Sequence, residues 1–429
     1  MAWWLLLVGL FGTIGSGALL GAALGLTGLI ILQFAANGAT QLAVTTSWNT
    51  FTDFTLSGIP LFVLLGEVLE QSGVSQRIYA ALSPMFRRVP GGLLHTNIAV
   101  CAVFGSIAGS SMSTAAAVGS IAYPELRRHG YDKLEVAATL AAGGTLGLLI
   151  PPSLSLLIYG ALTDTSVGKL FIASIIPGFL LTAMFMIYIY AGAKIGWIPP
   201  PASEVPEEEM PKASLWEVWP VVILLIAVLG SIVMGMATAT ESAGLGVIAA
   251  IVLGFFAGDL DMKKLGGTFV TSAIVYGALG FVILGAVVLA QSVSVLGLPR
   301  TLVEQVSALG LSKYSLFFAI VIVYLILGCF FEGLSMMVMT LPLVFPLMSS
   351  AGFDPVWFGV IVTILIEVAV VTPPVGLNLF VITAITNGEV TLAQAGKACV
   401  PYWLVMMVLI FWMAAMPSLA TWLPNVLMK

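Results

Sequence analysis

Two apolar stretches long enough to cross a lipid bilayer each carry a proline pair in their middle, Pro151 and Pro152 in "LIPPS" and Pro373 and Pro374 in "VTPPVG". A proline inside a helix removes a donor and clashes with the carbonyl one turn back, so each pair must interrupt its helix at bilayer depth. Backbone freed there is tolerated only where protein or a wet cavity surrounds it. The two breaks also mark an internal repeat. At one fixed offset Ser113 falls on Ser335, Pro124 on Pro346, Gly130 on Gly352, the first proline pair on the second, and Leu157 on Leu379, without a gap. Before this block, "GEVLEQS" at 66–72 and "GAVVLAQS" at 285–292 match with slightly different spacing.

Only 8% of the 429 residues are charged and 60% are hydrophobic, whereas about a quarter are charged in soluble domains. The chain is therefore an all-α polytopic membrane protein with the lipid bilayer as its solvent. A net charge of -5 and the lack of a basic stripe exclude a nucleic-acid partner. No GxxxxGK[ST] loop is present, which argues against direct use of ATP. Cys101, Cys329 and Cys399 lie in apolar runs without CxxC spacing and read as packing residues. The first apolar run, from Trp3, has no preceding basic residue and reads as a retained span.

A span needs about 20 helical residues. Candidates fall at roughly 3–20, 20–36, 56–72, 133–165, 171–196, 220–238, 242–257, 268–294, 355–387 and 399–427. The Pro/Glu-rich run "IPPPASEVPEEEMPKAS" can bury nothing and reads as a linker. It divides the chain into a first repeat (1–197), a cytoplasmic linker (198–216) and a second repeat (217–429). Two further apolar stretches, about 91–128 and 313–351, are too long for one span and are interrupted by small polar residues. Each reads as a re-entrant helical hairpin, with its tip at "GSIAGSSMST" or "GCFFEGLS". A helix-packing face of small residues is the alternative. The first is flanked by Arg77, Arg87, Arg88, Arg127, Arg128 and Lys133, so its base should be cytoplasmic. The second, flanked by only Arg300 and Lys313, should face the periplasm. Five crossings per half then give an inverted-topology repeat with both termini periplasmic.

Hairpin tips and broken helices (about 133–165 and 355–387) should converge. Half-helix N-termini suit a carboxylate, and carbonyls and hydroxyls suit a hard cation such as Na⁺. The candidate sodium ligands are Gly109, Ser110, Ser111, Ser113 and Pro151 in the first half, and Gly333, Ser335, Thr372, Pro373 and Gly376 in the second. Candidate substrate contacts are Ser111, Thr114, Ser153, Glu332 and Asn378. Charged groups inside spans are expensive and usually functional, which singles out Glu67, Glu241, Glu332 and Glu367. Glu241, following Thr238 and Thr240, reads as a helix cap. His95 and His129 read as structural.

The combination "GSSMST", "GLLIPPS", "ATATESAG", "GFDPVWFGV" and "VTPPVGLNLFV" resembles the large membrane subunit of TRAP transporters, the tripartite ATP-independent periplasmic carriers. The likeness spans nearly the whole chain. Two positions depart: Ala239 stands where the family usually has a proline, and Glu332 where an aspartate is common. The resemblance implies a sodium-driven, elevator-type carrier in the bacterial inner membrane. It further implies a small four-helix membrane subunit and a periplasmic substrate-binding protein that delivers an organic acid and does most of the selecting. Amphipathic segments around Ile78, Leu82, Met85 and Phe86, and around Leu302, Val306 and Leu309, would be arms linking a moving body to its frame, or interfacial anchors. A stand-alone sodium/carboxylate symporter is the nearest alternative. An intramembrane serine hydrolase using "GSSMS" is remote, because neither histidine is placed to act as its base.

Overall fold

A computed structural model of the protein describes residues 2–202, 218–374 and 376–428, and these contain helices and no strand. In chain order the helices are α1 (Ala2–Gly15), α2 (Leu20–Phe34), α3 (Gln41–Phe51), α4 (Gly58–Gln71), α5 (Val74–Phe86), α6 (Leu93–Ala108), α7 (Ser111–Arg128), α8 (Lys133–Leu149), α9 (Leu154–Thr163) and α10 (Val167–Ile195). The second half holds α11 (Trp219–Val233), α12 (Ala239–Ala257), α13 (Met262–Val295), α14 (Leu298–Ala308), α15 (Lys313–Gly328), α16 (Gly333–Ser350), α17 (Pro355–Val370), α18 (Leu377–Ile385), α19 (Leu392–Ala415) and α20 (Ser418–Leu427). Among the described residues, six helical segments are long and apolar enough to cross a membrane, counting α8 and α9 as one.

The repeat is visible in the elements. Helices α7 and α8 start at Ser111 and Lys133, and α16 and α17 start at the repeat-related Gly333 and Pro355. Both hairpins are present as antiparallel pairs, α6 on α7 and α15 on α16, each packed against the helix that follows it. Both long helices are broken where the proline pairs predict, between α8 and α9 and between α17 and α18, and both Pro–Pro bonds are cis. Backbones approach closely where small residues allow it. A Cβ on Gly105 of α6 would lie 2.8 Å from Gly147 Cα on α8, and one on Gly328 of α15 would lie 2.6 Å from Ala369 Cβ on α17.

Packing separates two groups of helices. In one, α2, α4, α12 and α13 pack together, with α1, α3 and α11 at the edge; in the other, α6 to α10 pack with α15 to α20. The groups meet where α4 touches α6 and α9, where α10 touches α11 and where α13 touches α16. Helices α5 and α14 bridge them: α5 contacts both α4 and α6, and α14 contacts both α13 and α16. Each bridge starts at a glycine in the left-handed region, Gly73 (φ 71°) and Gly297 (φ 66°), which lets the chain turn sharply out of the preceding helix. Arg77 fastens the start of α5 to the turn that follows α12, donating to Ala257 O and pairing with Asp259 (3.3 Å).

Several expectations need correction. The run 41–51, absent from the candidate spans, forms a helix, and 399–427 is not one span: α19 ends at Ala415 and a separate α20 starts after Pro417. Met416, the residue before Pro417, leaves the helical region (φ -130°, ψ 77°), as residues preceding proline favour, and α19 stops there. The buried face of α5 is Ser75, Ile78 and Tyr79, while Met85 is exposed; in the second arm, Leu309 lies past the helix end and is exposed. Residues 203–217, most of the expected linker, lie outside the described residues. His95 and His129 are structural, bonded to Pro90 O (2.8 Å) and Glu125 (2.9 Å).

The inverted arrangement predicts sidedness. A cysteine introduced in the 127–133 loop should be labelled only from the cytoplasm, and one replacing Ser350 only from the periplasm. Labelling of both from the same side would rule the inversion out.

Candidate functional site

The first hairpin turns at Gly109 and Ser110. Gly109 ends α6 in the left-handed region (φ 61°), and a Cβ there would lie 3.2 Å from Pro152 O, so the tip rests directly on the first break. Ser110 is extended and caps α7, its Oγ accepting from Ser113 N (3.4 Å). Its carbonyl accepts from Thr114 N (3.1 Å) and Thr114 Oγ1 (2.7 Å). The amides of Ser111 and Met112 lie in the first turn of α7, where no helical carbonyl precedes them. Gly147 on α8 admits this arrangement: a Cβ there would lie 3.1 Å from Ser110 O and 2.8 Å from Thr114 Oγ1.

Ser111 ties the tip to the second half. Its hydroxyl donates to Asn378 Oδ1 (2.8 Å), and Asn378 Nδ2 donates to Ala141 O on α8 (2.9 Å). Ser111 and Asn378 are both buried. The tip, the second broken helix and the first broken helix are thus joined by one side-chain bridge.

At the second tip, Glu332 occupies the repeat position of Ser110 and likewise caps its helix. Its carboxylate accepts from Leu334 N (3.0 Å), Ser335 N (2.8 Å) and Ser335 Oγ (2.7 Å). The two tips therefore differ in charge. The end of α7, capped by a neutral hydroxyl, keeps its partial positive charge, whereas the end of α16 is neutralised by its own acid.

The two tips share a cavity of about 130 Å³. The first tip lines it with Gly109, Ser110, Ser111, Met112 and Ser113, and the second with Glu332 and Leu334. Leu148 and Leu154 flank the first break there, Val370 and Leu377 the second. Glu67 of α4, with Val275 and Leu279 of α13, closes the wall from the other group of helices. The cavity lies where the two groups face each other.

The sequence-predicted residues are distributed unevenly around it. Gly109, Ser110, Ser111 and Ser113 come together at the first tip, where Gly109 meets Pro152 O, whereas Pro151 is buried and does not line the cavity. In the second set, Gly333 packs on Ile366 and Val370 of α17, but the polar groups do not meet: Ser335 bonds to Glu332, and Thr372 Oγ1 donates back to Val368 O (2.6 Å). Pro373 is exposed there and Gly376, in the left-handed region (φ 47°), heads α18 without a side-chain cap. Of the expected substrate contacts, Ser111 and Glu332 line the cavity. The hydroxyls of Ser153 and Thr114 are turned away, to Leu148 O and to Ser110 O. Asn378 acts behind the tip as the bridge to Ser111. Glu241 closes a capping box with Thr238, as its position suggested. Glu67 was legible as an intramembrane acid but not as a wall of this cavity, and only its neighbour Gly66, against which Ala108 O would lie 2.9 Å from a Cβ, betrays the contact.

A model of the family described as "Tripartite ATP-independent periplasmic transporter, DctM component" matches residues 5–419. The chain belongs to this TRAP transporter family. It is a transporter subunit of the inner membrane and not an enzyme. The C4-dicarboxylate TRAP transporter large permease protein DctM of Pseudomonas aeruginosa is 33% identical over 413 residues, covering 94% of each chain. The isethionate TRAP transporter permease protein DctMQ of Oleidesulfovibrio alaskensis is 30% identical over 96% of this chain and 63% of its own length. Among solved structures, the YdaH transporter of Alcanivorax borkumensis shares the fold, with a TM-score of 0.64, 14% identity and 91% coverage of both chains.

Proposed function

We propose that this TRAP large permease imports an organic acid, driven by a sodium gradient and fed by a periplasmic substrate-binding protein, together with a small four-helix membrane subunit. The observation that carries the reading is the cavity between the two hairpin tips. A carboxylate placed there meets the open N-terminus of α7 and the hydroxyls of Ser110, Ser111 and Ser113, while α16 is already capped by Glu332. Sodium belongs beside it, where Gly109, Ser110 and the Pro151 break bring carbonyls and hydroxyls together in buried surroundings; oxygen-rich, partly unwound backbone of this kind coordinates cations in other carriers. Relatives named for C4-dicarboxylate and isethionate transport support an organic acid as cargo. The division into two helix groups bridged by α5 and α14 supports an elevator motion, in which hairpins and broken helices move as one body against the remaining helices.

Reconstitution tests this directly. Liposomes containing the chain and its small partner should accumulate the acid only with an inward sodium gradient and loaded binding protein. Uptake of free acid without that protein would favour a stand-alone symporter, and uptake indifferent to sodium would remove the ion from the mechanism.

A further inference from the structure

Glu367 stands on α17, one turn before the cavity-lining Val370 and shortly before Thr372 at the second break. It has no solvent exposure, and neither carboxyl oxygen has a hydrogen-bond partner. The repeat does not impose this acid. At the equivalent place in the first half is Thr145 of α8, whose hydroxyl is satisfied by Ala142 O (2.8 Å). An acid retained inside a membrane-spanning body, where a self-satisfied threonine serves in the other half, marks a functional group.

The surroundings define what it can hold. Helices α8, α9, α10, α15, α16, α18, α19 and α20 pack on α17. Their lysines, Lys133, Lys169, Lys194, Lys313 and Lys397, are exposed or sit in terminal turns. Of their buried phenols, Tyr159 donates to Pro355 O and Tyr324 bonds to Thr340, while Tyr402 packs with Phe185 and Tyr188 and its hydroxyl, like the carboxyl of Glu367, has no partner among the described residues. Glu135 heads α8, Glu332 caps α16, Asp354 caps α17 itself, and α19 brings the buried thiol of Cys399; among the described residues none of these bonds to the Glu367 carboxyl. An isolated carboxylate so enclosed is prohibitively costly. A metal ion would need several oxygen ligands, and the nearest hydroxyls along α17, Thr363 and Thr372, donate to carbonyls of their own helix. Among the described residues no cluster of three His, Cys, Asp or Glu exists. A proton is the cation that needs no further ligand.

We propose that Glu367 is a proton-binding site: its carboxyl is protonated in this state, and the moving body exchanges that proton with solvent when Val370 and the second break rearrange, so that uptake responds to a proton gradient as well as to sodium. The coupling rests on the transport reading above; the protonation does not. Infrared spectra of the purified full chain at neutral pH should therefore show the carbonyl stretch of a protonated acid that disappears in Glu367→Gln. A carboxylate band lost in its place would overturn the proposal. Should Glu367→Gln fail to assemble, Glu367→Asp supplies the difference spectrum by shifting the same band. In liposomes with a fixed sodium gradient and loaded binding protein, an inside-alkaline gradient of about one pH unit should raise accumulation by up to about tenfold per coupled proton. Glu367→Gln should keep the sodium response and lose the pH response. Wild-type uptake indifferent to the pH gradient, or a variant that retains the response, would refute the coupling. Absence of uptake under every gradient would count against the transport reading instead, leaving the infrared band to decide the proton.

Discussion

Ser111→Leu should abolish sodium-dependent uptake while the protein still inserts and assembles. Ser111 is the first residue of α7, buried, with its hydroxyl on Asn378 Oδ1 (2.8 Å). Leucine adds bulk between the first tip and α18 and leaves the buried amide oxygen of Asn378 without its donor, which costs about 1–3 kcal/mol. Overpacking adds roughly 1–3 kcal/mol. These penalties fall on the tip, where Gly109 rests on Pro152 O at the first break, and not on the long helices that carry the chain into the bilayer. Insertion itself gains from the more hydrophobic side chain. Ser111→Ala removes only the hydrogen bond, about 0.5–1.5 kcal/mol, and keeps the space. It should shift the sodium concentration needed for half-maximal uptake without eliminating transport, because the carbonyls of the proposed sodium site are left in place. Sodium titrations of uptake, with size-exclusion profiles as the control for assembly, separate the two variants. Wild-type sodium dependence in Ser111→Leu would place the ion away from this tip.

That pair also shows where sequence reading stops. The hairpin tips and both breaks were legible because their signals are local: a proline pair interrupts the helical ladder twice in succession, and clusters of glycine and serine fall in the middle of apolar runs too long for one span. The repeat made each signal count twice. Ser111 and Asn378, however, lie 267 residues apart, and nothing within either segment announces the partner. Asn378 reads as a substrate contact in the sequence, and the fold adds its bonds to Ser111 and Ala141 O. Helix α3 was not legible because "QLAVTTSWNTF" mixes threonine and polar residues of modest helix propensity with an exposed apolar face. Glu67 reaches the cavity only because α4 packs against the first tip, a contact between the two helix groups that no local pattern encodes. The chemical asymmetry of the tips was in plain view, since the repeat register places Ser110 on Glu332, yet its meaning depends on both residues being caps, which only the folded geometry reveals.

Gly285→Leu should have the opposite phenotype, loss of the assembled protein before any transport question arises. Helices α2 and α13 cross with their backbones in contact. A Cβ on Gly21 would lie 2.5 Å from Phe281 O, one on Gly28 would lie 2.8 Å from Leu289 N, and one on Gly285 would fall inside the van der Waals envelope of Gly21 O. In lipid, where no hydrophobic force drives helices together, such close approach supplies the association through dispersion and shape. Because the obstructing atoms are backbone, no rotamer change relieves the clash, and the helices must separate along the whole seam. The cost should exceed the roughly 1–3 kcal/mol of ordinary overpacking, a large share of a marginal stability of about 5–15 kcal/mol. Helix α13 also carries Val275 and Leu279 of the cavity wall, so the damage would reach the site. Gly277 lies on the same helix, but a Cβ added there would have nothing within 4 Å, so Gly277→Leu should assemble normally. Size-exclusion profiles and melting temperatures of the two variants in detergent provide the comparison. Equal stability of Gly285→Leu and Gly277→Leu would mean that the α2–α13 crossing does not hold the frame together.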